Sequence, residues 1–164
     1  MRTIQIAIQV LVLAGVLVVG ARPAHAVLSA IGYLGYGHTF GNDDNGLDDN
    51  FGPTIEVGGS FGVPFIDIDV TYWNVLNDAG HQSQIRVGAR VAPPLIPLYG
   101  RVAAGIPFDG DVRDALGVDV IFGAGFTAFE LPLLKVNLEL DYHYWTDASS
   151  IHPLEIKAGV IIGF

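Results

Sequence analysis

Residues 153–164 read Pro153-Leu154-Glu155-Ile156-Lys157-Ala158-Gly159-Val160-Ile161-Ile162-Gly163-Phe164. Every second residue from Leu154 to Phe164 is apolar, and the residues between them are mostly small or charged. This period of two is typical of a β-strand with one apolar and one polar face. An aromatic residue at the last position is uncommon, because chain ends usually fray into polar residues. We therefore expect this strand to have a specific role.

The same alternation recurs along the chain. It is clear near residues 54–63, 66–73, 84–91, 116–127 and 134–145, and weaker near residues 96–104. Residues 27–40 carry apolar and aromatic side chains on both faces. We predict a strand there, but not which of its faces points inward. The pattern predicts eight strands of about ten residues, the length that a tilted strand needs to cross a bilayer.

The predicted connections alternate in length. The first, third, fifth and seventh are long and rich in Asp and Asn, whereas the second, fourth and sixth are short and marked by proline at Pro64, Pro93, Pro94 and Pro132. Long loops are therefore expected at one end of the sheet and tight turns at the other.

The first 26 residues resemble a secretory signal peptide. Arg2 precedes an apolar run over residues 4–20, and Ala24-His25-Ala26 forms a small-x-small cleavage pattern. The alternative is an uncleaved membrane anchor, for which the apolar run is about the minimum length. The sequence thus predicts a signal peptide over residues 1–26 and one domain over residues 27–164.

Composition excludes several classes of function. The 164 residues contain no cysteine, which rules out disulfides and cysteine-based metal or redox sites. Loss of Arg2 and Arg22 with the signal peptide would leave six Lys and Arg against 17 Asp and Glu, a formal charge of −11. Such a chain is not expected to bind nucleic acid. No later stretch has the 18 consecutive apolar residues typical of a transmembrane helix.

Charges concentrate on one face of the predicted strands, and seven glycines share that face, including Gly88, Gly125 and Gly159. Glycine weakens an exposed strand, whereas a narrow eight-stranded barrel needs small residues beside long ones in its interior. We therefore predict that the polar face points inward and forms an ion network of Glu56, Asp67, Asp69, Arg86, Arg90, Arg101, Asp119, Lys135, Glu139, Asp141, Glu155 and Lys157.

The opposite face of strands two to eight is uncharged, as contact with lipid requires. Closure of the sheet into a barrel would also leave no unpaired strand edge in the hydrocarbon. Aromatic residues gather near both ends of this face and predict two interfacial girdles, formed by Tyr72, Tyr142 and Tyr144 at the loop end and by Phe61, Phe126 and Phe164 at the turn end.

With its N-terminal leader, eight alternating strands and apolar final strand, the chain resembles the small outer-membrane β-barrels of Gram-negative bacteria, of the OmpA/OmpX architecture. The resemblance implies an all-β, antiparallel up-and-down transmembrane barrel in the outer membrane, in contact with lipid and lipopolysaccharide. It also implies that Val160, Ile162 and Phe164 belong to the signal read by the barrel-assembly machinery.

The expected role is structural or surface-interactive, in membrane integrity or adhesion, with no cofactor and no enzymatic activity. One alternative is a secreted lipocalin-like calyx that binds a small apolar ligand, because alternation is also compatible with an inward apolar face. A transport pore is a further alternative, although long charged groups should plug so narrow an interior.

Two groups of residues suggest chemistry. The first loop carries Asp43, Asp44, Asp48 and Asp49, which are weak candidates for divalent cations and lack the spacing of an EF-hand. Near the last loop lie His143, Ser149, Ser150, His152 and Glu155, the residue types of an acyl hydrolase. This second group leaves a lipid A-modifying hydrolase as an alternative, although the serines do not adjoin His143 as they do in known lipid A deacylases.

Overall fold

The computed structural model describes residues 28–40, 52–63, 65–76, 82–93, 96–110, 117–147 and 152–164. Within these ranges the chain forms eight β-strands: β1 (Leu28–Phe40), β2 (Pro53–Val63), β3 (Ile66–Val75), β4 (Gln82–Val91), β5 (Leu98–Gly110), β6 (Asp119–Leu131), β7 (Leu134–Trp145) and β8 (His152–Gly163). No helix in these ranges has the length and apolar character needed to span a bilayer. The predicted signal peptide, residues 1–26, lies outside the described residues.

The strands form a closed antiparallel barrel in sequence order. Each strand pairs with its neighbours in the chain, and β1 pairs with β8 over twelve residues, from Ser29 opposite Gly163 to Phe40 opposite His152. Closure leaves no sheet edge exposed, so the backbone donors and acceptors are paired around the ring. The predicted eight-stranded all-β barrel is thereby confirmed.

Two of the three connections that the sequence predicts to be tight turns are short, and the third is not. Val63 pairs with Ile66, and Leu131 pairs with Leu134, so only two residues lie between β2 and β3 and between β6 and β7. Phe65, directly before β3, has φ of 73°, in the left-handed region.

The connection after β4, at the same end of the barrel, spans six residues, 92–97, so the prediction of a tight turn at Pro93 and Pro94 was wrong. At the opposite end, the connections after β1, β3, β5 and β7 span 12, 6, 8 and 6 residues. We call these ends the turn end and the loop end.

Strand β5 is longer than predicted. The alternation in the sequence predicts this strand only near residues 96–104, but the strand continues to Gly110. A register shift between Ser83 and Gln84 allows this, because Gln84 lies opposite Pro107 and Ser83 opposite Asp109. The extra residue, Phe108, forms a bulge beside Pro107, and an irregular ladder tolerates the missing proline N–H.

The start of β6 also differs from the prediction, which begins this strand at residue 116. In the structure Gly117 has φ of +66°, a left-handed conformation that interrupts extended backbone, and β6 begins at Asp119. The strand then continues to Leu131, with a register shift between Thr127 and Phe129.

The apolar faces point outward and the polar faces point inward. Strand β1, whose facing the sequence leaves open, turns Ile31 and Tyr33 inward and exposes Leu34 and Tyr36. Exposed apolar side chains occur on all eight strands, and include Leu34, Val57, Ile68, Val70, Val87, Val102, Phe122, Leu138, Leu140 and Ile156. A calyx for an apolar ligand would need the reverse arrangement, so the structure does not support that alternative.

Candidate functional site

Ten of the twelve residues predicted for the interior network lie inside the barrel, each no more than 2% exposed. They are Glu56, Asp69, Arg86, Arg90, Arg101, Asp119, Glu139, Asp141, Glu155 and Lys157. We call these ten side chains, together with His143, the ionic layer. They come from seven of the eight strands, because alternation turns one charged face of each strand toward the lumen. Buried charges are tolerable only when each has partners of opposite sign.

Arg101 connects strands across the lumen. Its Nη2 lies 2.7 Å from Glu56 Oε1 on β2 and 2.7 Å from Asp69 Oδ1 on β3. Its Nη1 lies 3.1 Å from Glu139 Oε1 on β7 and 3.7 Å from Asp141 Oδ2. The planar guanidinium offers several donors in fixed directions, so one side chain from β5 can bind four carboxylates.

Lys157 on β8 shares three of these acceptors. Its Nζ lies 2.6 Å from Asp141 Oδ2, 2.8 Å from Glu139 Oε1 and 2.8 Å from Glu56 Oε2. The ammonium has three donors, and three carboxylates lie within reach of it. Glu56, Glu139 and Asp141 therefore each bind both Arg101 and Lys157.

Arg86 and Arg90 lie on β4, on either side of this centre. Arg86 approaches Glu56 at 3.3 Å, Glu155 at 3.5 Å and Asp119 at 3.5 Å, and its guanidinium carbon lies 4.1 Å from the centre of the Trp73 ring. This is a buried cation–π contact.

Arg90 lies nearer the turn end. Its Nη2 is 3.4 Å from Glu139 Oε2 and 3.4 Å from the hydroxyl oxygen of Tyr33. Its guanidinium carbon is 5.0 Å from the centre of the Tyr99 ring and 6.0 Å from that of Tyr33. Arg90 therefore links the ionic layer to the aromatic residues at the turn end.

His143 lies between two carboxylates near the loop end. Its Nδ1 is 2.8 Å from Asp119 Oδ2, and its Nε2 is 3.2 Å from Glu155 Oε2. Both ring nitrogens thus face carboxylate oxygens, an arrangement that a doubly protonated imidazolium satisfies with two donors. Glu155 also accepts hydrogen bonds from Thr54 Oγ1 and, at 3.1 Å, from Trp73 Nε1. Asp119 and Glu155 are therefore bridged by one buried ring.

The ionic layer contains six carboxylates and four Lys and Arg cations, so an imidazolium at His143 would be its fifth cation. Ligand atoms of Asp141, His143 and Glu155 lie within 4.8 Å of one another, a spacing that could suit a metal ion. Lys157 and Arg86, however, already pair with the two carboxylates of this group. The arrangement is therefore explained by side-chain cations.

Apolar and aromatic side chains close both ends of the ionic layer. Ile31, Tyr33 and Ile161 form a buried cluster toward the turn end. Toward the loop end, Trp73 and Trp145 are at most 1% exposed, and their rings lie 6.1 and 6.3 Å from that of His143. The charged side chains are therefore separated from solvent by apolar and aromatic side chains on each side.

Two predicted members lie outside the ionic layer, and their assignment to it was wrong. Lys135 has a side chain that is 40% exposed, and it pairs at 3.1 Å with the exposed Glu130. Asp67 is half-buried and makes no ion pair with another described residue. Both follow directly after a tight turn, where the lumen opens to solvent. For these two residues alternation predicts the face of the strand, but not how deep in the lumen the side chain lies.

The residues of the predicted girdles point outward. Phe61, Tyr72, Phe126, Tyr144 and Phe164 are exposed, and Tyr142 is partly exposed. The tyrosines lie toward the loop end and the phenylalanines toward the turn end. Val160 and Ile162, predicted for the assembly signal, are exposed on the same outer face as Phe164.

The candidate hydrolase residues do not share a face. His143 and Glu155 are fully buried inside the barrel, whereas His152 is exposed on its outside. Ser149 and Ser150 lie outside the described residues, as do the candidate cation ligands Asp43, Asp44, Asp48 and Asp49. Two histidines on opposite sides of the barrel wall cannot serve one catalytic centre. Among the described residues of this group, His143 and Glu155 therefore do not share a face with His152.

Sequence reasoning missed the part that His143, Tyr33, Tyr99 and the two tryptophans play in the interior. His143 lies on the polar face of β7, between Asp141 and Trp145, and this position was sufficient to place it among the charged residues. Tyr33 could not be found in this way, because β1 shows no clear alternation.

No family model matches the chain. No curated protein sequence matches it significantly. Among solved structures, the chain is similar to Neisserial surface protein A (NspA), with a TM-score of 0.55 and 12% identity over 87% of this chain and 100% of that one. Weaker similarities are to the KdgM porin (TM-score 0.39, 13% identity, 80% and 99% coverage) and to Ail, the attachment invasion locus protein of Yersinia pestis (TM-score 0.36, 11% identity, 85% and 99% coverage). The chain thus shares with NspA the fold of a small closed β-barrel.

Proposed function

We propose that this chain is an integral outer-membrane β-barrel of a Gram-negative bacterium, with a structural or surface-interactive role in membrane integrity or adhesion. The observation that carries the proposal is the inverted distribution of polarity. Apolar side chains cover the outside of the barrel, and the ionic layer lies within it. Soluble monomers rarely expose contiguous apolar patches larger than a few hundred Å².

A lipid environment explains both sides of the barrel wall. The outer face of the described strands carries apolar residues at mid-height, where a Lys or Arg facing lipid would cost about 2–4 kcal/mol. Tyrosines and phenylalanines flank this band in the way that interfacial girdles do. Barrel closure satisfies the backbone within the hydrocarbon.

Extraction and gel migration test this location. Membranes of cells that express the chain are washed with alkaline carbonate, and the insoluble protein is run on gels with and without boiling. We expect the chain to stay in the membrane pellet and to migrate faster when unboiled. A carbonate-soluble chain with no shift in migration would exclude the membrane proposal.

We further propose that the ionic layer closes the lumen. The interior of an eight-stranded barrel is about wide enough to be filled by side chains, and Arg101 and Lys157 span it. The apolar and aromatic side chains at both ends add to this closure. In planar lipid bilayers the purified chain should therefore show no steady large conductance. A stable open channel would contradict the closed interior.

Export and assembly are proposed to follow the resemblance to small outer-membrane barrels. Residues 1–26 would be removed as a signal peptide, and the outer apolar row of β8 would be recognised by the barrel-assembly machinery. Replacement of Phe164 by Ser should reduce the heat-modifiable form in the outer membrane without blocking transport across the inner membrane. N-terminal sequencing of the mature chain tests cleavage before Val27.

No enzymatic activity is proposed. A lipid A hydrolase would need its catalytic groups at the outer rim, and His143 is enclosed in the ionic layer. Lipid A from cells that overproduce the chain should have an unchanged mass spectrum. Loss of one acyl chain in those cells, and not in cells producing the H152F variant, would instead establish a hydrolase.

The surface role is proposed for the acidic loops at the loop end. Removal of residues 42–50 should weaken adhesion of expressing cells, or their resistance to detergent, while leaving the gel shift intact. Calorimetric titration of the purified barrel with Ca²⁺ and Mg²⁺ tests whether Asp43, Asp44, Asp48 and Asp49 take part in cation binding. If addition of either cation produced no heat of binding, cation binding would be excluded from this role.

A further inference from the structure

Two exposed histidines lie next to each other on the outer face at the loop end. In the pairing of β1 with β8, His38 is opposite Leu154 and Phe40 is opposite His152. His38 and His152 are therefore diagonal neighbours on one face, a relation that places residues about 7–8 Å apart. Tyr142 on β7 is also paired with Leu154, on the other side of β8. We call His38, Phe40, Tyr142 and His152 the rim patch.

Contacts within the rim patch orient the His152 ring. The hydroxyl oxygen of Tyr142 lies 2.7 Å from His152 Nδ1, and the two rings are stacked with centres 6.0 Å apart. When the hydroxyl donates to Nδ1, the ring hydrogen is on Nε2 and points away from Tyr142. A protonated ring also carries hydrogen on Nε2. In these two states, though not in the tautomer with its hydrogen on Nδ1, His152 presents a donor to a ligand at the rim.

His38 is held in a similar way. Its ring packs edge to face against Phe40, with centres 4.7 Å apart. The ring is exposed, so its nitrogens are open to the surroundings of the barrel. Two imidazole rings, each supported by an aromatic neighbour, thus face the same region outside the wall.

The rim patch is the basic part of this rim among the described residues. The described Arg side chains and Lys157 lie inside the barrel, and Lys135 lies at the turn end. The patch also marks the height at which apolar residues give way to polar ones. In an outer-membrane barrel with its longer loops outside the cell, this is the level of the phosphate groups of outer-leaflet lipid.

We propose that the rim patch binds the phosphate groups of lipid A in the outer leaflet, with His38 and His152 as the hydrogen-bond donors. Phosphate oxygens are strong acceptors, and charged acceptors form stronger hydrogen bonds than neutral ones. This proposal rests on the proposed membrane location and names a lipid partner and its contact residues.

The test compares two lipids and three forms of the full-length chain. Purified protein in non-ionic detergent is mixed with bisphosphorylated lipid A or with its dephosphorylated form, and bound lipid is counted by native mass spectrometry. The double variant His38→Phe/His152→Phe keeps two rings and removes their donors. Tyr72→Phe is the matched control, because Tyr72 is a loop-end aromatic on β3 whose hydroxyl contacts Ser83 at 3.1 Å.

We expect the double variant to bind phosphorylated lipid A about tenfold more weakly than the wild type, as loss of charge-assisted hydrogen bonds implies. The Tyr72→Phe variant should bind as the wild type does, and all three forms should bind the dephosphorylated lipid equally. Equal binding of the phosphorylated lipid by the wild type and the double variant would overturn the proposal, and so would equal binding of the two lipids by the wild type.

A second measurement covers the case in which the double variant does not fold. The ring nitrogen signals of His152 in wild-type chain are followed by nuclear magnetic resonance as lipid A is added, with Tyr142→Phe as the comparison. A shift of the Nε2 signal with the phosphorylated lipid alone supports the proposal, and no shift overturns it. If the Nε2 signal does not shift in a chain that does show the heat-modifiable gel shift, the proposed membrane location still stands. The two proposals can therefore fail separately.

Discussion

The ring of Tyr33 on β1 lies directly over the backbone of Gly159 on β8. A Cβ atom added to Gly159 would lie 2.4 Å from Tyr33 Cδ1 and 2.3 Å from the carbonyl oxygen of Gly32. These distances are well below van der Waals contact, and one of them involves backbone that cannot move away freely. The glycine is therefore required at the seam where the barrel closes.

Gly159→Ala should destabilise the barrel by about 1–3 kcal/mol, the usual cost of overpacking a filled interior. The measurement is urea unfolding in phospholipid vesicles, followed by the fluorescence of the buried Trp73 and Trp145. Gly32→Ala is the matched control, because a Cβ there meets nothing within 4 Å. Equal midpoints for the two variants would show that the ring of Tyr33 moves aside at little cost.

A similar contact joins Gly125 on β6 to Tyr99 on β5, where an added Cβ would lie 2.0 Å from Tyr99 Cζ. Gly125→Ala alone should lower the urea midpoint, and so should Tyr99→Ala. The double variant should lose less stability than the two single losses together, because the clash disappears with the ring. Additive losses would indicate that the two residues do not interact.

Arg101→Met should lower the stability of the barrel far more than Lys135→Met. Loss of Arg101 removes a shared partner from Glu56, Asp69 and Glu139, and breaking a buried ion pair costs about 3–5 kcal/mol. The pair between Lys135 and Glu130 is exposed, so its loss should change stability by at most about 1 kcal/mol. The urea concentration at the midpoint of unfolding measures the loss of stability in both variants. Similar midpoints would contradict the distinction between the ionic layer and the turn end.

His143→Phe keeps a ring between Trp73 and Trp145 but removes both donors from Asp119 and Glu155. We expect a loss of about 3 kcal/mol, because two buried carboxylates lose a partner. Adding Asp119→Asn should recover part of this loss by removing one uncompensated charge. Wild-type stability of the single variant would mean that the imidazole does not bridge the two carboxylates.

Period-two alternation was sufficient to predict the barrel and the inward direction of its charges. Strands such as β7, where Leu138 and Leu140 alternate with Glu139 and Asp141, bury one face and expose the other. Proline marked the two short turns at Pro64 and Pro132, but Pro93 and Pro94 lie in a six-residue connection. The extension of β5 past Pro107 was not predictable, because it depends on a register shift in the partner strand.

The ionic layer was predictable as a set of residues but not as a set of pairs. Alternation indicates that Arg101 points inward, whereas its partners Glu56 and Glu139 follow from the reach of a long side chain across the lumen. The facing of β1 was also beyond sequence patterns, because Ile31 and Tyr33 are as apolar as the outward Leu34 and Tyr36. The space that Gly159 leaves beside β1 accommodates the inward ring of Tyr33.

The contact between Glu56 and Lys157 joins residues 101 positions apart in the chain. We expect this contact to form late, because β2 and β8 come together when β1 pairs with β8 and closes the barrel. Interactions made after the rate-limiting step stabilise a protein mainly by slowing its unfolding. We therefore expect loss of the ionic layer to shorten the lifetime of the folded barrel. The rate at which the barrel assembles should change little.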